Sequence, residues 1–423
     1  MEAPNTVISP GADIPADLNA TKVKPHPADG IKGNNRMAQL HLHDKSGSSS
    51  ANAIVPASEP DSTAASQPST ATAEMSDTMV EVRKTAEMGL GLFATQDIPR
   101  GTRVLSEEPV IHLPDPPYRR DMIRAFCDKA VQLSQDQIKM LSQLHCNMDV
   151  LEEGDRDIVQ QWYNENSVTD AEGRELKGKK RQESRKKMLK RFAIFITNSS
   201  RQISDNMQEG RGVYYTFSRI NHACVPNARY GWNDTIKRGT VHVCRDVAEG
   251  EQILVTYIPL NYYCWMKRAE ELKGWGFECG CQACQDPASD LRWEQMGIVH
   301  LLIESFQHSD NSVPTLLGVE PLSSFSEAMM AVNRLAKLMI EEGLITMELT
   351  KMYRTCSNYY WVVNDMDRAI EYAEKALDVE LCLIGPETEH LRENRQGNRY
   401  WLKWLQENKS VEEDLALDQL RPN

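Results

Sequence analysis

The sequence predicts an α+β protein in which sheet-forming and helical segments occupy separate stretches of the chain. Short β-type runs broken by glycine and proline begin at Met79 and return between Val213 and Tyr257. Residues 118–195 hold few prolines and no sustained strand alternation, and helical spacing of apolar residues dominates from residue 288 onward. Strand-rich and helix-rich segments that stay apart are typical of α+β folds.

Length and composition indicate an ordinary globular protein with two or three domains. The chain has 423 residues, of which 40% are hydrophobic and 26% charged. No apolar run approaches the length of a membrane span, and the first residues lack the basic start and apolar stretch of a secretory signal. We therefore expect an intracellular protein, in the nucleus or cytoplasm, without a membrane partner.

The N-terminal segment differs in composition from the remainder of the chain. Residues 1–77 are rich in Ala, Ser, Thr, Pro and Asp and hold almost no aromatic side chains. Such a segment buries too little apolar surface to offset the entropy lost on ordering. We expect a disordered tail here.

The first β-type segment, GLGLFATQDIPRGTRVL, predicts a strand, a turn and a second strand, which we interpret as a hairpin. Gly89 and Gly91 within it would let the backbone approach a ligand closely, because glycine has no Cβ. A dinucleotide-binding fold would need a helix directly afterwards, whereas Pro99 and Gly101 follow soon. Taken alone, this G-x-G is a weak signal and favours a plain turn.

A basic stretch, Arg174–Arg191, lies inside the predicted helical insertion. Its basic residues include Lys177, Lys179, Lys180, Arg181, Arg185, Lys186, Lys187, Lys190 and Arg191. A solvated helix face, a nuclear address and a contact with nucleic acid or an acidic partner all fit this pattern. The net charge of −13 argues against broad nucleic-acid binding, so we do not expect a nucleic-acid partner, and this stretch is the one place where such a contact could form.

Residues 288–423 are expected to form a helical domain, with a tetratricopeptide-like array as one possibility. The clearest helix is DMDRAIEYAEKALDVELCLIGP, where Glu371 and Lys375 make a favourable i,i+4 pair and Gly385 ends the helix. The segment Phe325–Glu342 predicts another helix. The apolar positions of the first helix fall at helical spacing: Ile370, Ala373, Leu377 and Leu381.

Three of the ten cysteines crowd into one short segment. Ten cysteines in an intracellular chain of this length indicate free thiols or metal ligands rather than a disulfide framework. Cys279, Cys281 and Cys284 could supply three corners of a tetrahedral zinc site. The fourth ligand could be Cys224, Cys244, Cys264 or a histidine, and a chance cluster of reduced thiols is the alternative.

Two further segments carry polar or aromatic residues suited to ligand recognition. In NHACVPN, Asn221 and His222 are adjacent polar side chains, and Pro226 and Asn227 favour a turn. In GEQILVTY, an apolar strand ends at Tyr257. Considered separately, the first segment also fits a surface turn, and the second also fits a strand that ends in a buried core tyrosine.

The order of these four segments resembles the landmarks of the SET domain. They are G-x-G-L-F-A, N-H-x-C-x-P-N, G-E-x-I-x-x-x-Y and C-x-C-x-x-C, and they span Met79 to Pro287. With its helical insertion and helical C-terminal part, the chain is most similar to the SET and MYND domain family. Only Cys127 and Cys146 lie in the insertion, too few for a two-zinc MYND finger. Fungal-type SET proteins that lack the finger are a closer match.

The resemblance implies a fold and a set of boundaries. SET domains consist of small curved β-sheets with a pseudoknot, in which the N-H-x-C segment passes close to the segment that ends in the tyrosine. We expect the SET domain at residues 78–258, with the helical insertion at about 118–195. A post-SET zinc loop is expected at 259–287, ahead of the all-helical C-terminal domain.

The resemblance also implies an activity: transfer of a methyl group from S-adenosylmethionine to a lysine of a histone or non-histone protein substrate. Tyr257 would be the catalytic residue that lines the methyl-transfer channel, and Cys224 would complete one structural zinc site. The residues implied in cofactor binding are Met88, Gly89, Leu90, Gly91, Asn198, Ser218, Asn221, His222, Tyr257, Trp275 and Phe277. Ala223 replaces the usual serine of the family, and its small side chain should preserve the backbone there.

Two other functional classes remain open from the sequence. The chain could be a non-catalytic scaffold that binds partners through its helical C-terminal domain. It could also be a nucleic-acid-associated factor that uses Arg174–Arg191.

Overall fold

The computed structural model describes residues 79–170, 172–203, 209–309, 314, 318–386 and 397–420. The expected disordered tail, residues 1–77, lies outside these described residues. Within them, no helix has both the length and the apolar character needed to span a membrane.

The described residues form ten β-strands and eleven α-helices. The strands are β1 (Val80–Lys84), β2 (Leu90–Ala94), β3 (Arg103–Glu107), β4 (Ile111–Pro114), β5 (Ser200–Ile203), β6 (Glu209–Val213), β7 (Asn221–His222), β8 (Ala228–Asn233), β9 (Arg238–Val243) and β10 (Gln252–Val255). The helices are α1 (Arg119–Ala130), α2 (Gln135–Ser142), α3 (Asp155–Glu165), α4 (Gly178–Asn198), α5 (Trp265–Leu272), α6 (Gln282–Gln285), α7 (Pro287–His308), α8 (Phe325–Glu342), α9 (Met347–Val362), α10 (Met366–Ile384) and α11 (Asn398–Leu420).

The strands make three small sheets, and the predicted α+β class is confirmed. Their orders are β1-β2-β10-β7, β3-β9-β8 and β4-β6-β5. Nearly all pairings are antiparallel, but β7 runs parallel to β10, with Asn221 beside Leu254 and His222 beside Val255. This parallel pair brings two segments that are well separated in sequence into direct contact.

The predicted hairpin between β2 and β3 is wrong, although both strands exist. Strand β2 has β1 on one side and β10 on the other, so no edge remains for β3. Strand β3 pairs with β9 in another sheet. Between them, Ile98 bridges Val247, and Gly101 adopts a φ of +82°, which redirects the chain.

The helical insertion has a core of its own beside the β4-β6-β5 sheet. Phe126 on α1 packs against Phe192 and Phe195 on α4, with ring centroids 5.3 Å apart in both pairs. All three rings are fully buried. This apolar side fixes α4, so the remainder of its surface, including most of the basic stretch, faces outward.

In the C-terminal helices, α8 has the bounds that the sequence predicts, and α10 ends before Gly385 as expected. The Glu371–Lys375 ion pair is present, with 2.6 Å between Nζ and the carboxylate. The predicted buried face of α10 is rotated from the true one, because only Ala373 of its four apolar positions is fully buried. The buried face contains Ala369, Ala373, Ala376, Val379 and Leu383, whose alanines permit close packing against α9.

Candidate active site

Three of the predicted motifs attach to the fourth, the segment Asn221–Asn227. Its first two residues form β7, which lies alongside β10. The Ala223 N–H donates to the Val255 carbonyl at 3.0 Å, which extends the pairing by one residue. Strand β10 therefore delivers Tyr257 directly beside His222.

Asn221 joins this segment to the G-x-G motif. Its side-chain amide donates to the Leu90 carbonyl at 3.0 Å. Gly89 has a φ of +75°, and no heavy atom lies within 4 Å of where its Cβ would be. Met88 and Leu90, on either side of Gly89, are 48% and 38% exposed. The turn thus presents an open backbone next to Asn221, with space for a ligand.

Gln252 is a neighbour of this turn that sequence reasoning missed. A Cβ on Gly91 would lie 2.5 Å from its Nε2 and 2.9 Å from Cγ2 of Thr85, so a side chain at position 91 would displace both groups. The same Nε2 is buried and has no hydrogen-bond partner among the described residues. A buried amide without a partner costs free energy unless a ligand or water completes it. No local signal in GEQILVTY distinguishes this glutamine from an ordinary strand residue.

His222 joins the segment both to Tyr257 and to the cysteines. Its Nδ1 accepts a hydrogen bond from the Tyr257 N–H at 3.0 Å, and its Nε2 lies 3.4 Å from the Cys224 sulfur. The side chain is 4% exposed, and burial lowers its pKa to about 4. Because both ring nitrogens face protein atoms, a cofactor contact at this position would come from its backbone.

Tyr257 lies in a cluster of aromatic rings. The ring centroids of His222, Trp275 and Phe277 lie 5.3, 5.7 and 6.2 Å from that of Tyr257. Its hydroxyl donates to the Ile220 carbonyl at 2.5 Å, and burial raises its pKa to about 12. The phenol is therefore protonated at neutral pH, and its oxygen keeps lone pairs for accepting a hydrogen bond.

Trp275 and Phe277 form the outer side of this aromatic pocket. Trp275 ends a short 3₁₀ turn that begins at Lys273, and Gly276 follows with a φ of +77°. That left-handed glycine lets the two large rings that flank it face the same tyrosine. Phe277 is 36% exposed, so the pocket is open to solvent at this side.

Cys224 and the three clustered cysteines converge. Their four sulfurs lie within 4.8 Å of one another, with 3.5 Å between Cys224 and Cys284. In a tetrahedral zinc tetrathiolate with zinc–sulfur distances of about 2.3 Å, sulfurs lie about 3.8 Å apart. The donor set and its spacing fit such an ion. Of the candidates that the sequence left open, Cys244 instead contacts the Pro226 carbonyl, at 3.5 Å.

The thiols of this cluster differ in acidity. Hydrogen bonds from Cys224 lower the pKa of the Cys281 and Cys284 thiols. The pKa of the Cys224 thiol is raised, because this thiol donates its proton in hydrogen bonds to the three neighbouring sulfurs. Thiolate is the form that binds a divalent cation, and such an ion would draw all four thiols into that form.

Arg268 is the second residue that sequence reasoning missed. Its side chain is 1% exposed. Its guanidinium donates to the Tyr263 and Ala283 carbonyls at 2.7 and 3.2 Å, and one nitrogen lies 4.0 Å from the Cys284 sulfur. The indole ring of Trp293 lies 4.4 Å from its guanidinium carbon. Its place one helical turn before buried Leu272, on the same face of α5, was the available signal.

Asn227, the last residue of the motif, holds the turn to β10. Its side-chain amide donates to Glu251 at 3.1 Å and to the Gln252 carbonyl at 2.8 Å. Its side-chain oxygen accepts the Leu254 N–H at 2.7 Å. The side chain is 2% exposed, so Asn227 has a structural role: it fixes the end of the Asn221–Asn227 segment to β10.

The two remaining cofactor candidates use their donors within the protein. The Asn198 amide donates to the carbonyls of His145 and Ile194, at 2.8 and 2.7 Å. The Ser218 hydroxyl donates to the Tyr214 carbonyl at 2.5 Å. Their predicted role in cofactor binding stays a prediction.

Comparison with known proteins finds a match to the part of the chain that carries the glycine turn, Asn221–Asn227 and Tyr257. A family model described as "SET domain" matches residues 89–258. The chain is 26% identical over 178 residues to histone-lysine N-methyltransferase set5 of Schizosaccharomyces pombe, covering 42% of this chain and 53% of that protein. It is 30% identical to human histone-lysine N-methyltransferase SMYD3, covering 24% of each protein.

The chain therefore spans about half the length of one curated relative and a quarter of the other. A solved structure titled as the SET domain of LSMT bound to lysine and AdoHcy aligns with 81% of this chain and 89% of its own. Its sequence identity is 12% and its TM-score 0.27, too low to support an argument.

Proposed function

We propose that this chain, which carries a SET domain at residues 89–258, transfers a methyl group from S-adenosylmethionine to a lysine of a protein substrate. The observation that carries the proposal is the aromatic pocket around Tyr257, joined through His222 and Asn221 to the open glycine turn. Relatives named as histone-lysine methyltransferases support a substrate of the histone class, and hence action in the nucleus or cytoplasm.

When bound, S-adenosylmethionine supplies a methyl group activated by its sulfonium. The residues that would hold it are the backbone of Met88–Gly91 and the side chain of Asn221. The open space at Gly89 and the buried, unpartnered Nε2 of Gln252 both support a ligand at this turn. Asn221 would act mainly by keeping β2 and β7 at a fixed separation, since its amide already donates to Leu90.

Tyr257 would orient the lysine amine as a hydrogen-bond acceptor. Its proton is donated to Ile220, and the raised pKa keeps the phenol neutral, so its oxygen can accept a hydrogen bond from the amine. A tyrosine held in this way does not serve as a general base. Such a site accelerates the reaction mainly by aligning the lone pair of the amine with the methyl group.

The aromatic rings would favour the neutral amine that the reaction needs. A lysine ammonium that enters between Tyr257, Trp275 and Phe277 loses water, and desolvation lowers its pKa. The proton would leave through the open side of the pocket near Phe277. The neutral state of His222 avoids a second positive charge beside the amine.

We propose that one structural zinc ion binds Cys224, Cys279, Cys281 and Cys284. Phe277 lies two residues before Cys279, and Cys224 lies two residues after His222. An ion held by these four cysteines would fix both sides of the pocket relative to each other. It would have no open coordination position and no part in the chemistry.

The test is methyl transfer from radiolabelled S-adenosylmethionine to whole-cell extract proteins, with mass spectrometry of the labelled residue. Wild-type protein should label lysine, and Tyr257→Phe should lower turnover about 10- to 100-fold, the equivalent of a lost hydrogen bond to a charged or reacting group. Tyr262→Phe is the matched control, since Tyr262 is buried elsewhere, 3.6 Å from the Met339 sulfur. Near-normal labelling by Tyr257→Phe, or labelling of a residue other than lysine, would defeat the proposal.

A further inference from the structure

The basic stretch of the insertion forms a one-sided surface on α4. Its exposed lysines, which we call the lysine face, are Lys179, Lys180, Lys186, Lys187 and Lys190. At about 100° per residue they fall within about 120° of the helix circumference, over about 17 Å of its length. Glu183 lies on the same side, which leaves a net charge of +4.

The opposite side of α4 anchors the helix to the insertion core. Met188, Phe192 and Phe195 are buried there. Arg181 faces inward as well, with its guanidinium over the Tyr163 ring at 5.7 Å and a hydrogen bond to the Asn166 carbonyl at 3.1 Å. The lysine face therefore stands on a rigid helix, and its charges keep a fixed spacing along the axis.

The lysine charges are not neutralised within the part of the chain that the structure describes. None of the five has a carboxylate partner within salt-bridge distance there, whereas Lys177, just before the helix, pairs with Glu175 at 3.2 Å. Lysines on other helices are of both kinds: Lys267, Lys337, Lys375 and Lys403 are ion-paired, whereas exposed Lys129, Lys139 and Lys351 have no carboxylate partner among the described residues. What distinguishes α4 is that five unpaired lysines share one side of a single helix, which gives this surface a local excess of positive charge.

The position of these charges opposes helix stability. Helix α4 begins after Lys177 with no side-chain cap and no acidic residue in its first turn. Lys179 and Lys180 thus lie at the positive end of the helix dipole, where each cation costs about 0.3–1 kcal/mol. Residues that destabilise their own helix, and make no compensating contact elsewhere in the fold, are expected at functional surfaces.

The chemistry of the face favours a polyphosphate over a folded protein or a membrane. Its exposed residues include no aromatic or aliphatic side chain and no arginine, the residues that dominate protein interfaces. A membrane-surface helix also needs an exposed apolar side, which the described part of α4 lacks. Duplex DNA presents one phosphate charge per about 1.7 Å, so about ten lie along the length of this face.

We propose that the lysine face binds the phosphate backbone of duplex DNA without reading its sequence. The chain as a whole carries a net charge of −13, so surfaces elsewhere repel DNA on balance and leave this face as the contact. Binding of this kind is independent of methyl transfer, and its test needs no cofactor or substrate lysine.

The test is fluorescence anisotropy of a labelled duplex of about 30 base pairs with the full chain, between about 50 and 200 mM salt. We expect a dissociation constant of about 10⁻⁴–10⁻⁶ M near physiological salt, and a slope of log affinity against log salt of about −4. Replacing all five lysines of the face by glutamine should weaken binding at least about tenfold and bring the slope close to zero. Glutamine is a good helix former, so circular dichroism should be unchanged.

The control variant carries the same change in charge at ion-paired positions. It replaces Lys267, Lys337, Lys375, Lys403 and Lys409 by glutamine and should bind DNA like the wild-type protein. Equal loss in both variants, or a wild-type slope shallower than about −1, would overturn the proposal. So would tighter binding to a polyglutamate peptide or to phosphatidylserine vesicles than to DNA at equal charge concentration.

Discussion

Arg268 gives the sharpest prediction about the proposed metal centre. Its guanidinium is almost fully buried, and one nitrogen lies 4.0 Å from the Cys284 sulfur. A divalent ion with four thiolates carries a net charge of −2, and this guanidinium, which also lies 3.7 Å from a carboxylate oxygen of Asp290, would offset part of it. We predict that Arg268→Met, which keeps much of the volume of the side chain and removes its charge, weakens zinc binding.

The expected size follows from the distance. A unit positive and a unit negative charge 4.0 Å apart attract by about 4 kcal/mol at an effective dielectric constant of about 20. Desolvation of the guanidinium opposes much of this, as for other buried charges. Mutations of residues just outside a metal's ligands typically cost about 10–100-fold in affinity. We therefore expect zinc affinity to fall about 10–100-fold, or about 1.4–2.8 kcal/mol.

The assay is competition for zinc with a chromophoric chelator, supported by the absorption spectrum of the cobalt-substituted protein. The spectrum should keep its tetrahedral thiolate bands in Arg268→Met, because the four ligands remain. Arg268→Lys should recover part of the affinity. Arg292→Met is the control, since Arg292 pairs with Glu342 at 2.6 Å. A folded Arg268→Met protein with wild-type zinc affinity would refute the charge-compensation reasoning.

Three further predictions concern the hydrogen bonds around β7 and β10. Asn227→Ala should lower the free energy of unfolding by about 3 kcal/mol in urea titration, since it removes three hydrogen bonds of a buried side chain, each about 1 kcal/mol. A loss below about 1 kcal/mol would contradict this. Asn221→Ala should weaken S-adenosylmethionine binding about tenfold in calorimetry with a much smaller change in stability, because its bond to Leu90 is solvent-accessible. The pH–rate profile should rise with deprotonation of the lysine amine and show no fall from Tyr257 below about pH 11, since its raised pKa of about 12 keeps the phenol protonated; a descending limb between about pH 8 and 10 that Tyr257→Phe removes would count against that role.

The sequence was sufficient for the elements of the fold but not for all of their partners. Strands β2 and β3, the helical character of the insertion and the bounds of α8 follow from local pattern. The hairpin was misassigned because β10, which comes much later in the chain, occupies the edge that β3 would need. The rotated face of α10 has a similar cause, since close packing on α9 selects alanines over the larger Ile370 and Leu377.

The candidate site shows the same division between local and distant information. Motif order was enough to pair Cys224 with a cysteine cluster far along the chain, although spacing alone had left Cys244 and Cys264 open. Arg268 offered only its position one helical turn before Leu272, since an arginine in a charged helix is otherwise expected at the surface. Gln252 gave no local signal, because a glutamine in a strand looks like a surface residue. Only the packed structure shows that one is buried beside a thiol and the other lacks a partner among the described residues.

Calorimetric titration of the zinc-loaded full chain with S-adenosylmethionine tests most directly whether Asn221–Asn227 assembles a methyl-transfer site. We predict saturable binding of one molecule per chain, retained within about threefold by Tyr257→Phe and weakened by Asn221→Ala. Absence of saturable heat with the wild-type protein would contradict this and would leave the SET domain as a non-catalytic scaffold.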